Sequence, residues 1–326
     1  MDDFHAKMSQ ANVLALWEQD QRHNLPAEPT HLWRWGAVSP LLDEAVAATD
    51  MNNAERRVLI LRNPSFEAGR DGAAANLSVN LQILMPGERA RPHRHTMHAL
   101  RFALEGSGAT TVVEGKECPM HPGDLILTPG LTWHEHYNDG KERSVWVDAL
   151  DVPLHRYLEN SVFEPGPSRN VTALPPDSAY VAGFSPATPA IATNYSPMFR
   201  YPWQMAVKAL DALPAESDGS RVLRYTNPVT GGAVLSTIDC YLLGLAKGME
   251  TVAYRTNTSA VCVVAEGEGQ SRIGDELVKW GPKDIFVLPH GQWISHKASS
   301  ASARLFQITD RELYRRLDFL RDETRH

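Results

Sequence analysis

The chain has 326 residues, 43% apolar and 22% charged, with a net charge of −7. That composition belongs to a globular protein, and its acidic balance excludes a nucleic-acid surface as the main function. No apolar run approaches the roughly 18 residues of a spanning helix, and the polar start MDDFHAKMSQ lacks the basic and apolar regions of a secretory leader, so a cytoplasmic, membrane-free location is expected. The three cysteines, Cys118, Cys240 and Cys262, are scattered and odd in number, which fits a reducing compartment better than a disulfide framework.

Phe4, Met8, Val13, Leu14 and Trp17 recur at helical spacing and predict an amphipathic helix over 4–17. From about 57 to 150 the character changes to short apolar runs (RVLILR, LQILM, ATTVV, DLILT, VWVDAL) separated by Gly, Pro, Asn or Asp, the pattern of an all-β sandwich or barrel. Residues 164–200, rich in Pro, Ser and Ala, read as a long connection, followed by helical spacing in WQMAVKALDAL (203–213). The β pattern returns from about 222 to 308, and Leu313, Leu317 and Leu320 predict a closing helix. The division expected is an arm (1–56), a first barrel (57–163), a linker (164–221) and a second barrel with its terminal helix (222–326).

The two β regions look like copies. LEGSG (104–108) precedes PGDLILTPGLTWHEH (122–136), and AEGEG (265–269) precedes GPKDIFVLPHGQWISH (281–296). An internal duplication of a small β-barrel is the simplest reading.

Three histidines crowd the stretch PHRHTMHALRF (92–102). Residues i and i+2 of a strand project to one face, so His93 and His95 can point together into a barrel, and His134 can join them from another strand. Three neutral imidazoles on one side of a cation leave open positions opposite. His98 reads as packing or as a support behind the ligands, and His121, in MHPGD, as a turn residue. The arrangement Gly87, His93, His95, Gly106, then Gly123, Pro129, His134, Asn138 resembles the two cupin signature motifs. Two positions depart from it. The glutamate usual in motif one falls at Ala99 or Leu100, and the glycine usual two residues after the motif-two proline is Leu131. The second copy has Tyr254-Arg255-Thr256 and Ile294 at the ligand positions, so one metal per chain is expected.

Over nearly the whole chain, the blocks HRHTMHALRFALEG, TPGLTWHEHYN, VDALDVP, HLWRW, FRYPW and NPVTGGAVLSTIDCYL resemble the gentisate 1,2-dioxygenase family, with its salicylate and 1-hydroxy-2-naphthoate relatives. The resemblance implies an all-β bicupin of two jelly-roll barrels, a homotetramer, with Fe(II) in the N-terminal barrel on His93, His95 and His134. It implies O2-dependent cleavage of an aromatic acid between its carboxylate-bearing and hydroxyl-bearing carbons. Arg101, and Arg57 or its neighbour Arg56, match arginines that would bind the acid. His136 matches a second histidine beside the site, Asp148 an acidic residue that would orient His136 or a ligand imidazole, and Gln82 a pocket glutamine. Met97 and Asn80 stand where gentisate-type members carry other residues, so the substrate expected is gentisate, salicylate or a 5-substituted salicylate such as 5-nitrosalicylate. Trp33, Trp35 and Trp203 read as packing or subunit contacts. A metal-binding cupin acting as sensor or storage module, or an O2-independent isomerase, are the alternatives.

Overall fold

The computed structural model describes residues 2–18, 28–51, 55–66, 72–166, 174–180, 186–187 and 194–325. The strand Ala99–Glu105 is buried on both faces, and that double burial explains the architecture. Leu100 and Phe102 enter an extended apolar layer, while the alternate residues Ala99 and Arg101 line a cavity on the other side. In the second half, Ala260–Glu266 repeats the arrangement. Val261 and Val263 join the same layer as Leu100 and Phe102, whereas Cys262 and Val264 belong to a separate core. Two barrels therefore stand back to back. Where they meet, the rings of Phe102 and Phe306 stack with centroids 4.1 Å apart and planes 9° apart. Trp203 meets Phe102 edge-on, and Tyr225 meets Phe306 in the same way.

Each barrel combines one six-stranded and one five-stranded antiparallel sheet. In the N-terminal barrel the six-stranded sheet runs Arg200–Tyr201, Leu125–Thr128, Ala99–Glu105, Ser144–Leu150, Ser78–Leu84, Arg57–Leu61. Its five-stranded partner runs Phe163–Pro165, Arg89–His95, His134–Asn138, Ala109–Val113, Lys116–Pro119. The duplication extends to irregularities. A bulge at Leu104, just before Glu105, faces Val145 and Trp146, and one at Ala265, just before Glu266, faces Arg304 and Leu305. The glycine after each of those glutamates, Gly106 and Gly267, has φ of +83° and +80°. A Cβ there would come within 2.2 Å of the Arg143 carbonyl and 2.3 Å of the Ser302 carbonyl, so only glycine fits either turn.

The connections are reciprocal. Leu32–Trp33, ahead of the first barrel in sequence, pairs with Ile285 and Phe286 of the second. Arg200–Tyr201, ahead of the second barrel, pairs with Leu125 and Ile126 of the first. Each strap is anchored in one way. The Trp35 amide donates to Asp284 Oδ1 at 2.8 Å and Arg34 donates to Oδ2 at 3.0 Å. The Trp203 amide donates to Asp124 Oδ1 at 2.8 Å and Arg200 Nε donates to Oδ2 at 3.0 Å. Trp33, Trp35 and Trp203 thus pack within the chain. Each strap opens a helix, Trp35–Ala48 and Trp203–Ala212; the spacing predicted the second and missed the first.

Two expected helices are shorter than their spacing suggests. The first spans Asp2–Gln10, ended by Asn12 in the left-handed region at φ +54°, and Val13, Leu14 and Trp17 lie exposed beyond it. The last spans Arg311–Arg316, with Asp318 at φ +58° behind it, and leaves Leu317 exposed. The chain then forms Asp322–Thr324, which pairs with Tyr254–Thr256.

Because the stacked phenylalanines are buried where both barrels meet, Phe306→Ala should lower stability by about 3–5 kcal/mol, the usual cost of a phenylalanine-sized cavity. Urea unfolding of the variant checks this, with its metal content expected to stay at the wild-type value.

Candidate metal centre and adjoining pocket

His93 and His95 lie on the strand Arg89–His95, and His134 opens the antiparallel strand His134–Asn138 directly across from His93. A ligand atom from each falls within 4.8 Å of the others, and among the described residues this is the one such group. All three side chains are buried. Their orientation comes from the backbone beside them. Nδ1 of His93 donates to the Arg91 carbonyl at 3.0 Å, Nδ1 of His95 to the Met97 carbonyl at 2.9 Å, and Nδ1 of His134 to the Thr132 carbonyl at 2.9 Å. With the proton fixed on Nδ1, each Nε2 presents a lone pair, the tautomer a metal requires. Burial keeps the rings neutral. It pushes His93 down to about 3, helped by the Arg56 charge, and His95 down to about 4. His134 is held well below the ordinary histidine value by burial and its neighbours' charges. The His134 Nε2 is buried without a hydrogen-bond partner, which costs free energy unless something binds there. These residues fit a divalent metal that accepts imidazole ligands.

Leu131 belongs to this frame. It adopts φ +62°, and its amide donates to the His95 carbonyl at 2.6 Å. In the second barrel Gly291, at φ +75°, donates to Thr256 at 2.7 Å in the same way. The turn still demands the left-handed conformation, and this chain holds it with a leucine, at some strain.

A cavity of about 390 Å³ opens beside the histidines, lined by His95, Met97, Asn80, Gln82, Arg101 and Asp148 together with Arg56, Arg156 and Phe163. Register builds its floor. Asn80, Asp148 and Arg101 lie side by side on three adjacent strands. Arg101 is only 2% exposed, donates to Thr128 Oγ1 at 2.8 Å and keeps its Nε 3.1 Å from Asp148 Oδ1. Burial raises Asp148, and the Arg101 charge opposes it. Asp148 also accepts from Trp146 Nε1 at 3.1 Å. The carboxylate therefore holds Arg101 and does not touch His136 or a ligand imidazole, correcting the expected role. Trp146 intervenes, its ring 5.6 Å from that of His136. The His136 Nδ1 lies 2.9 Å from Thr111 Oγ1, and its Nε2 is buried without a partner. The Gln82 Nε2 is likewise buried and unpartnered.

Arg57 does not reach the cavity. It opens the strand Arg57–Leu61 facing away from it, and is buried in an ion pair with Glu88. Its neighbour Arg56 takes the expected place, with Nη1 2.9 Å from His93 Nε2 and the guanidinium 5.6 Å from the Phe163 ring. Arg156 and Phe163 carried no motif and were missed. His98 bridges the Gly130 amide and Ser236, 3.0 and 2.7 Å away, outside the cavity. His121 lies in a turn against Asp124.

Two cupin barrels, with one oriented three-histidine group that could hold a metal among the described residues, define a bicupin protein. A Cupin domain family profile matches residues 80–152. The chain is 33% identical to Gentisate 1,2 dioxygenase 1 of Aquipseudomonas alcaligenes, over 98% of this chain and 95% of that one. It is 35% identical to 5-aminosalicylate 1,2-dioxygenase of Comamonas sp, over 99% of this chain and 90% of the other. Salicylate 1,2-dioxygenase from Pseudoaminobacter salicylatoxidans, solved as adducts with gentisate, superimposes with a TM-score of 0.91 at 29% identity, covering 99% of this chain and 93% of that one. The chain belongs to the gentisate and salicylate 1,2-dioxygenase family and is a ring-cleaving dioxygenase.

Removing one imidazole should break the centre without breaking the barrel. His134→Ala is expected to reduce bound metal to below a tenth of the wild-type content by elemental analysis, with an unchanged far-UV spectrum. Full metal retention would refute the ligand set.

Proposed function

We propose that the chain is an Fe(II) enzyme that opens the ring of a salicylate-type acid, gentisate or a 5-substituted salicylate, between the carboxylate-bearing and hydroxyl-bearing carbons. The observation that carries this reading is the placement of two arginines, Arg56 and Arg101, and the free Gln82 amide in one cavity with His95, one of the three histidines of the centre. Fe(II) held by His93, His95 and His134 would supply adjacent open positions for the acid and for O2, and a route for electron density from one to the other.

The chain's own residues do the rest. Arg56 reaches the face of the centre and offers charge-assisted hydrogen bonds to the carboxylate. Arg101, fixed by Asp148 and Thr128, supplies a second buried positive charge and cannot swing away. Asp148 is thus a positioning residue. Gln82 donates to a ring oxygen. His136 stays neutral because burial and the nearby Arg101 charge hold it well below the ordinary value, so its free Nε2 can accept a hydrogen bond from the phenolic hydroxyl. Met97 and Asn80 line the wall that a ring substituent would meet. Met97 also has a second duty, since its carbonyl orients His95. No helix among the described residues is long and apolar enough to cross a membrane. The proposal includes a cytoplasmic homotetramer, supported by the family likeness and by the exposed Leu14, Leu16 and Trp17 of the N-terminal arm; light scattering checks the assembly.

The decisive measurement is O2 uptake after anaerobic Fe(II) loading, with gentisate, salicylate, 5-aminosalicylate and 5-nitrosalicylate as substrates. One O2 consumed per ring opened is expected with at least one acid, and no uptake with any would overturn the reading.

The two neighbouring arginines separate binding from stability. Arg56→Ala should raise KM for the acid roughly 10- to 100-fold, the loss of one charge-assisted contact, with little change in melting temperature. Arg57→Ala should leave KM near wild type but lower stability by about 1.5–3 kcal/mol, since Glu88 loses its buried partner and keeps only the Met85 amide and solvent.

A further inference from the structure

The C-terminal barrel encloses a cavity of about 560 Å³, larger than that beside the histidine centre. Its inner wall is Tyr241, Leu243, Tyr254, Leu288 and Ile294. The positions corresponding to His93, His95 and His134 are Tyr254, Thr256 and Ile294, so this lumen has no metal-ligand set. One polar group of the other barrel is nonetheless kept. His296 lies opposite Ser271 on paired strands, as His136 lies opposite Thr111.

The hydrogen-bond network fixes the His296 tautomer. Trp280 Nε1 donates to Ser271 Oγ at 2.9 Å, and the Ser271 hydroxyl, with no other acceptor among the described residues, is assigned as donor to His296 Nδ1 at 2.7 Å. His296 therefore carries its proton on Nε2, which is buried, has no partner, and belongs to a side chain that lines the cavity. Burial pushes His296 down to about 4, so at neutral pH the ring is an uncharged donor. A buried N–H with nothing to accept it is costly to leave unmatched. Arg224, Arg311 and Arg315 all line the cavity, each paired with a carboxylate that does not line it: Arg224 with Asp239, Arg311 with Asp322 and Arg315 with Glu312. Asp218, the single acidic residue of the rim, is tied to the Ser220 hydroxyl and to the amides of Ser220 and Val252.

We infer that the C-terminal barrel is a second, metal-free binding site for a small aromatic carboxylate. The acid group faces the three guanidiniums, the ring lies among Tyr241, Tyr254 and Leu243, and a ring oxygen accepts from His296 Nε2. The volume falls within the usual range for small-molecule sites, roughly 300–1,000 Å³. Nothing in this site depends on the proposed iron chemistry, and its failure would leave the O2-uptake test untouched.

The test is calorimetric titration of the full-length chain, with and without metal, by 3-hydroxybenzoate. Hexanoate and phenol serve as comparison probes. Saturable binding in the absence of metal is expected, weaker for hexanoate and for phenol. His296→Ala should weaken it at least tenfold, His296→Gln, which keeps an N–H donor, should recover part of the loss, and Leu243→Trp, which fills the lumen, should abolish it. A crystal grown with 3-hydroxybenzoate should show it against His296. No saturable binding, equal binding of hexanoate, or binding unchanged by both His296→Ala and Leu243→Trp would overturn the inference.

Discussion

The apolar layer between the barrels is the constraint on which the rest depends. A single cupin barrel with Leu100 and Phe102 on its outer face would hold those side chains in water. The duplication removes them by facing the sheet with its own copy, so that Phe102 stacks on Phe306. Each barrel then draws much of its hydrophobic stabilisation from outside its lumen. In the N-terminal barrel this frees the lumen for groups that a sole core could not tolerate: four histidines, Arg101, Asp148 and Gln82, all nearly inaccessible to water. The reciprocal straps hold the pairing. Each is an edge strand plus an arginine on a buried aspartate, and each spans from one barrel's sequence to the other barrel's sheet.

Such a lumen has to satisfy its polar groups by design of the backbone. Three imidazoles spend Nδ1 on carbonyls two residues away, which costs the chain nothing beyond local turns and leaves every Nε2 directed inward. Arg101 spends its charge on Asp148 and one N–H on Thr128. What remains unspent, the Nε2 atoms of His134 and His136 and the Gln82 amide, marks where ligand atoms belong. Leu131 shows that the frame outranks local preference. The turn that ties its amide to His95 is kept although the residue disfavours it.

Sequence reading captured the parts governed by short-range rules. His93 and His95 follow from strand alternation and His134 from motif spacing. The duplication was visible in repeated blocks, and the apolar runs of the central strands reflect burial on both faces. Parts that depend on register or on long-range docking were not legible. Whether Arg56 or Arg57 enters the cavity turns on the face of one strand and on the position of Glu88, which sits 31 residues from Arg57 in sequence. The partner of Asp148 is decided by which residue lies across from it, Arg101, and by the Trp146 indole that screens it from His136. HLWRW and FRYPW stood out as blocks, yet nothing local says that each will dock on the farther barrel. Helical spacing over 4–17 overran because periodicity carries no stop signal as strong as Asn12 in a left-handed turn.

The comparison of the two lumens separates what the fold needs from what the chemistry needs. Both keep a buried histidine bonded to a hydroxyl on the neighbouring strand, His136 with Thr111 and His296 with Ser271. A pair retained where there are no metal ligands is not there to serve a metal. Its common property is a second ring nitrogen left free inside a barrel. In the N-terminal barrel that nitrogen belongs to a ring near His134, a buried Arg101 and an Arg56 that reaches His93, and burial with the Arg101 charge keeps it neutral. In the C-terminal barrel the surroundings are tyrosines and aliphatic side chains under a guanidinium rim, and the same nitrogen is left as a donor for recognition. Three ligand positions, changed to Tyr254, Thr256 and Ile294, are enough to divide one inherited cavity into a reacting site and a binding one.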